Sequence, residues 1–214
     1  MTLDELISPI HGRLGVLERN GDQRVTIADL TDDSRKVGPG SLFVAVQGER
    51  VDGHQFLDPV VAAGAAAVVV QRSGDVGAIP CIRVQDSRAA LGVLGSRFYG
   101  DPSAALRMIG VTGTNGKTTT TYVVKTMLEA AQRQVGLIGT VAYLVGKESI
   151  PASHTTPGAL ELQKLFARMR DARLDTVVME VSSHALALDR TAGSEFDVAV
   201  FTNLTQDHLD FHLD

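Results

Sequence analysis

Short runs of β-branched and other apolar residues recur along the chain, and between them the apolar positions fall at helical spacing. Strands are expected at Val25–Leu30, Leu42–Val46, Ala66–Val70, Cys81–Val84, Met108–Thr112, Val135–Ile138, Thr176–Val181 and Asp197–Thr202. The runs Ala65 to Val70 and Thr176 to Met179 are continuously apolar, as strands covered on both faces require. Helices are expected at about Phe56–Ala63, Ala89–Phe98, Lys117–Ala131 and Gly158–Arg170, with Gly64 stopping the first. Strand and helix alternate throughout, which predicts an α/β fold with largely parallel sheets. The stretch Ala142–Ser153 fits neither period and is read as a hairpin or a loop.

The turn cluster Tyr99-Gly100-Asp101-Pro102-Ser103 separates a helix from a new strand, so a first domain is placed at residues 1–104 and a second at 105–214. The second contains only four of the expected strands, fewer than a doubly wound nucleotide domain commonly uses, and is read as incomplete.

Length and charge narrow the function. A chain of 214 residues, 44% hydrophobic and 21% charged, suits one large or two small globular domains. A net charge of −5 disfavours a general nucleic-acid or anionic-membrane binder. The single cysteine, Cys81, lies in an apolar run and is expected to be a buried, inert thiol in a reducing compartment. Asp4 and Glu5 stand where a secretory signal would carry cations. The apolar stretch Val60 to Val70 is far shorter than the ~20 residues of a membrane-spanning helix. A soluble, cytoplasmic and monomeric protein is expected.

The strongest chemical signal is Gly110-Val111-Thr112-Gly113-Thr114-Asn115-Gly116-Lys117-Thr118-Thr119-Thr120, between an apolar strand and a helix. Glycines let backbone N–H groups close around phosphate oxygens, and the helix N-terminus adds partial positive charge. Lys117 would reach the β- and γ-phosphates and the Thr118 hydroxyl would ligate Mg²⁺. The spacing departs from the usual phosphate loop, because Val111 stands five residues before Gly116 and the glycines are at 110 and 113.

Three other segments reach strand ends. Glu180, in Met179-Glu180-Val181-Ser182-Ser183-His184, is placed either to bind Mg²⁺ or to cap the following turn, and His184 reads as a polar loop residue. The run Phe201 to His212 carries Asp207, His208, Asp210 and His212, which suit a metal or a phosphate as well as a plain helix start. Thr31-Asp32-Asp33-Ser34-Arg35 follows a strand and fits either a nucleotide diphosphate or an Asx turn.

Together these segments resemble the Mur ligases, the ATP-dependent enzymes that build the peptidoglycan stem peptide. The resemblance rests on Gly113 to Thr120 with its unusual glycine spacing, on Asp33-Ser34-Arg35 with Leu42-Phe43-Val44-Ala45, on Thr155-Thr156-Pro157, on Met179 to Leu186 and on Thr202 to Asp210. Within the family it points to the branch that adds a diamino acid, meso-diaminopimelate or L-lysine, to UDP-MurNAc-L-Ala-D-Glu. It implies a Rossmann-like UDP-binding N-terminal domain followed by a truncated ATPase-type central domain.

The resemblance also assigns residues. Gly113, Thr114, Asn115, Gly116, Lys117, Thr118 and Thr119 would bind ATP. Ser34 would contact the UDP end of the substrate, and Thr155, Thr156, Ser182 and Arg190 its muramoyl-dipeptide part. Thr118 and Glu180 would hold one Mg²⁺ and His208 a second, with Lys117, Glu180 and His208 carrying catalysis. The implied chemistry is phosphorylation of the D-Glu carboxylate followed by attack of the amine. The family's carboxylated lysine and C-terminal domain fall beyond Asp214, so this chain is expected to bind nucleotides without turnover. Two rival readings keep the same loop: another Mur member or a folylpolyglutamate synthase-like ligase, and a non-catalytic nucleotide-binding fragment. Thr155-Thr156-Pro157 and the uridine-type first domain weigh against a different ligase substrate.

Overall fold

In the computed structural model the described residues are 1–48, 51–72, 76–77, 79–207 and 211. They form two compact units, Met1–Phe98 and Tyr99–Asp214. The division falls ahead of the 104/105 boundary expected from the turn cluster. The Arg170 guanidinium donates to the carbonyls of Tyr99 (2.9 Å) and Gly100 (3.2 Å), which ties that turn to the second unit.

The first unit contains α1 (Leu3–Ile7), α2 (His11–Leu14), β1 (Val16–Asn20), β2 (Asp29–Thr31), β3 (Ser41–Val44), α3 (Leu57–Ala62), β4 (Ala67–Val70), β5 (Cys81–Val84) and α4 (Ser87–Phe98). Its sheet has the order β1-β5-β4-β3-β2, parallel except for the antiparallel β1–β5 pair. All four residues of β3 and of β4 are buried, and all but Ser41 are apolar, as strands covered on both faces require. Phe43, Val68 and Val70 pack with Leu57 and Val60 of α3 in one core cluster that includes Cys81, whose thiol burial pushes up. Asp86 opens α4 by accepting from the N–H groups of Arg88 (2.8 Å) and Ala89 (3.2 Å).

The strand expected at Val25–Leu30 begins later, as β2. The backbone upstream of it is already engaged: Leu3 N–H donates to Val25 O and Ile27 N–H to Met1 O, both through the amino-terminal segment. The helix expected from Phe56 starts as a 3₁₀ turn (Gly53–Phe56) before becoming α3.

The second unit contains β6 (Arg107–Thr112), α5 (Lys117–Ala130), β7 (Val135–Ile138), β8 (Ala142–Val145), β9 (Glu148–Pro151), α6 (Ala159–Asp171), β10 (Thr176–Glu180), α7 (Ser183–Ala187) and β11 (Val198–Phe201). The sheet order is β11-β6-β10-β7-β8-β9. β11, β6, β10 and β7 are parallel, and β8–β9 is the hairpin, turning at Gly146 with φ 60°. The hairpin is one of the two readings left open for Ala142–Ser153, and it extends the four expected strands to six. β10 is buried on both faces, with Val177 and Met179 meeting Leu162, Phe166 and Met169 of α6, and Val178 packing with Val111 and Leu137 in a cluster that Tyr122, Val124 and Leu128 of α5 adjoin. Every parallel strand of this sheet ends on the same side, where the segments after β6, β10 and β11 lie. Among the described residues no helix is long and apolar enough to cross a membrane.

Candidate nucleotide and cation site

The loop between β6 and α5 is shaped by two glycines. Gly113 has φ 128°, and a Cβ there would lie 2.2 Å from Thr202 Oγ1 and 2.8 Å from Asn203 O. Gly116 sits at the N-cap of α5 with φ 86° and provides no side-chain cap, leaving the N-terminal amides of a 14-residue helix open. The loop is also stitched to the segment after β11. Thr114 N–H donates to Asn203 O (3.0 Å) and Asn115 N–H to Asn203 Oδ1 (3.0 Å). Thr114 Oγ1 donates to Thr205 O (3.0 Å) and accepts from Thr205 N–H (2.9 Å). The Lys117 ammonium folds back onto its own loop, donating to Gly113 O (2.6 Å) and Thr114 O (2.9 Å). A lysine cation and an open helix N-terminus therefore face one place, the charge pattern a phosphate chain requires.

Beside this loop Glu180 ends β10 and is only 1% exposed. Its Oε2 accepts from Thr118 Oγ1 (2.9 Å) and Thr140 Oγ1 (3.2 Å), and its Oε1 from Thr140 N–H (2.9 Å). Three donors converge on this buried carboxylate and fix its direction. Glu180 does not cap the turn after it; Ser182 does, accepting from Ala185 N–H (3.2 Å) at the start of α7. Glu180 and Thr118 form an all-oxygen donor pair, which fits Mg²⁺, a hard cation that commonly takes one or two protein ligands beside phosphates and water. No cluster of three His, Cys, Asp or Glu suited to a metal occurs among the described residues. His208, assigned from the sequence to a second cation, lies outside those residues, as do Asp210 and His212.

The residues that the resemblance assigns to the muramoyl-dipeptide part of the substrate gather next to Glu180. The buried Thr156 donates to Glu180 O (2.9 Å) and accepts from Ser182 N–H (3.1 Å), and Arg190 Nη1 donates to Thr156 O (2.9 Å). Thr155 Oγ1 lies 3.0 Å from Thr140 Oγ1. The loop bearing both threonines is held by Tyr143, 1% exposed, whose hydroxyl donates to His154 O (2.7 Å) and accepts from His154 N–H (3.1 Å). Tyr143→Phe is expected to cost about 1 kcal/mol, the usual worth of such bonds at a partly solvated site, read as a lower midpoint in urea unfolding.

A cleft of about 390 Å³ opens over these elements, lined by Gly113, Thr114, Lys117, Ser182 and Asp207 on its polar sides and by Leu186, Phe201 and Leu204 on an apolar one. Its size suits a small ligand. Thr119 lies exposed in the first turn of α5, and His184 stacks on Phe211 with ring centroids 4.2 Å apart.

Ser34 belongs to the first unit, where it opens a 3₁₀ turn capped by Asp33. Asp33 Oδ1 accepts from Arg35 N–H (3.1 Å), the Asx turn weighed from the sequence, and the Arg35 guanidinium holds its carboxyl down at about 2. A cleft in this unit, about 260 Å³, is lined by Gln47, Gly48, Gln71, Asp86 and Arg88 at strand ends. Its rim is fixed by His54: Nε2 accepts from Gln71 N–H (3.0 Å), so Nδ1 carries the proton and donates to Asp52 Oδ1 (2.6 Å).

The reading from sequence missed Thr140, Tyr143 and the loop-holding role of Asn203. Thr140 was findable, because it follows the apolar run of β7 just as Ser182 follows that of β10.

Residues 26–99 match the profile of the Mur ligase family, catalytic domain, and residues 111–214 that of the Mur ligase middle domain. The chain belongs to the Mur ligase family. Mur ligases are ATP-dependent ligases, and the glycine loop, the Thr118–Glu180 pair and the hydroxyl cluster lie in the part matched to their middle domain. UDP-N-acetylmuramoyl-L-alanyl-D-glutamate–2,6-diaminopimelate ligases are among the relatives. That of Alkaliphilus metalliredigens is 49% identical over 93% of this chain and 40% of its own length, and that of Bacillus velezensis 51% over 87% and 38%. The chain thus spans about two-fifths of these curated relatives. A solved structure of an enzyme of that name superposes with TM-score 0.81 at 27% identity, over 99% of this chain and 42% of the other. The Mur ligase MurF of Thermotoga maritima, solved with ADP, gives 0.57 at 26%, over 87% and 39%.

Proposed function

We propose that the two units are the UDP-muramoyl-binding and ATP-binding parts of an ATP-dependent ligase that joins 2,6-diaminopimelate to the D-Glu of UDP-MurNAc-L-Ala-D-Glu. The observation that carries this is the convergence on Glu180. The residue that pairs with phosphate-loop Thr118 on its carboxylate also bonds Thr156 on its backbone carbonyl. A phosphate donor and a substrate carboxylate bound by these neighbours would be side by side, the arrangement phosphoryl transfer requires. The names of the relatives support the muramoyl dipeptide and the diamino acid as substrates.

In this reading Lys117 leaves its loop carbonyls to pair with the β- and γ-phosphates, while the amides at the start of α5 receive the phosphate oxygens. Thr118 and Glu180 would hold Mg²⁺, which when bound supplies positive charge against the transferring phosphoryl. Thr155, Thr156, Ser182 and Arg190 orient the dipeptide so that a D-Glu carboxylate oxygen attacks the γ-phosphorus. The bond to the β-phosphate oxygen breaks, and ADP leaves. The amine of the diamino acid then attacks the acyl phosphate carbon, phosphate departs, and the amine gives up a proton as the amide forms. Ser34, in the first unit, contacts the UDP end. A cytoplasmic enzyme is in keeping with nucleotide-activated substrates of this kind, and we infer that it acts as a monomer.

Calorimetric titration of this chain with UDP-MurNAc-L-Ala-D-Glu, and separately with Mg·ATP, tests the reading. Saturable binding of both is expected, with the UDP-dipeptide weakened about tenfold by Ser34→Ala, the worth of one hydrogen bond to a charged ligand. Binding of ATP with indifference to the UDP-dipeptide would reject the muramoyl substrate.

A further inference from the structure

Thr140 stands between the cation pair and the substrate hydroxyls, and its bonds have a readable direction. Gly139 brings the backbone against Glu180 so closely that a Cβ there would lie 2.3 Å from Oε1. This approach lets the next residue donate its N–H to Oε1 (2.9 Å) and its hydroxyl to Oε2 (3.2 Å). An ionised carboxylate only accepts, and a threonine hydroxyl has a single proton. With that proton given to Glu180, the 3.0 Å contact between Thr140 and Thr155 runs with Thr155 donating. The Thr155 proton is thereby committed inward, and only its lone pairs face a ligand.

We propose that Thr140 is a positioning residue that aims the Glu180 carboxylate at the cation and sets Thr155 as a hydrogen-bond acceptor, selecting an N–H or O–H of the substrate rather than a carboxylate or carbonyl. The inference rests on the ligase reading above and adds the polarity of one of its contacts. The peptide N–H groups of a muramoyl dipeptide are donors of this class. Thr140 is itself exposed while Glu180 is buried, so the side chain can be changed with little loss of packing.

The test uses Thr140→Val, which keeps the branched shape and the backbone bond to Oε1 but removes the hydroxyl, and Thr140→Ser, which restores it. Mn²⁺ affinity is read by electron paramagnetic resonance in the presence of ATP, and UDP-MurNAc-L-Ala-D-Glu affinity by calorimetry. Thr140→Val is expected to weaken Mn²⁺ about tenfold, the common cost of losing an outer partner of a metal ligand, and the UDP-dipeptide severalfold. Thr140→Ser is expected to stay within about twofold of the parent on both counts. Thr155→Val should weaken the dipeptide in the parent yet add little in Thr140→Val, because the two hydroxyls act as one chain. Equal behaviour of the Val and Ser variants, or full additivity with Thr155→Val, would overturn the proposal. Failure of the unaltered chain to bind Mn·ATP would instead overturn the ligase reading, and this inference with it.

Discussion

Gly113→Ala is expected to abolish nucleotide binding by the second unit and to lower its stability by several kcal/mol. Two independent costs meet at this residue. Its φ of 128° belongs to a region that side-chain-bearing residues rarely adopt, a strain of about 1–3 kcal/mol. A Cβ would also stand 2.2 Å from Thr202 Oγ1 and 2.8 Å from Asn203 O. Relief requires the loop to move off the segment after β11, breaking the bonds that Thr114 and Asn115 make to Asn203. Overpacking of this kind typically adds about 1–3 kcal/mol. Gly116→Ala is the internal comparison, because its Cβ would meet nothing within 4 Å and only its φ of 86° opposes the change. Chemical unfolding of both variants, with ATP titration, separates them. A Gly113→Ala chain as stable as Gly116→Ala would show that the close approach to Thr202 does not constrain the loop.

The second large effect is expected at Glu180→Gln, where Mg²⁺-dependent ATP binding should fall by about two orders of magnitude while ATP binding without the cation is nearly unchanged. The substitution keeps shape and removes charge. Around an amide the three donors can no longer all be matched: its oxygen can face Thr140 N–H, and its NH₂ then faces the hydroxyls of Thr118 and Thr140, which must turn round to accept. The Thr118 hydroxyl then directs its proton away from Glu180, into the space where the cation would bind. Loss of charge and reversal of a ligand act in the same direction, exceeding the tenfold usual for an outer partner alone. Mn²⁺ titration with and without ATP measures this directly. An unchanged Mn²⁺ affinity would exclude Glu180 from the cation site.

The fold was most legible where burial is complete. β3, β4 and β10 announce themselves because both faces are covered and nearly every position must be apolar. β1 escaped because it lies at a sheet edge, with Leu17, Glu18 and Asn20 exposed, and so carries no alternation. α1 was missed although Thr2 and Glu5 form a reciprocal capping box, a readable signal obscured by the helix being only five residues long. At the site, Lys117 stood out through the glycine-rich loop that opens α5, and Glu180 because charge at the end of a buried strand is conspicuous. Thr140, Tyr143 and Asn203 did not, because hydroxyls and amides are common in loops and their importance depends on which atoms lie 3 Å away. Neither composition nor period carries that information.

The resting position of Lys117 has a consequence for how a nucleotide enters. Its ammonium donates to the carbonyls of Gly113 and Thr114, so the cation is solvated by the loop that would carry the phosphates. An incoming phosphate chain must compete for a cation that is already solvated by the protein itself. Binding is therefore an exchange of partners. The net gain comes from the difference between two carbonyl dipoles and a polyanion, and ligands of low charge, such as a nucleoside or a monophosphate, gain too little to release the lysine. On the ligase reading, the same exchange would favour a triphosphate over shorter phosphate chains.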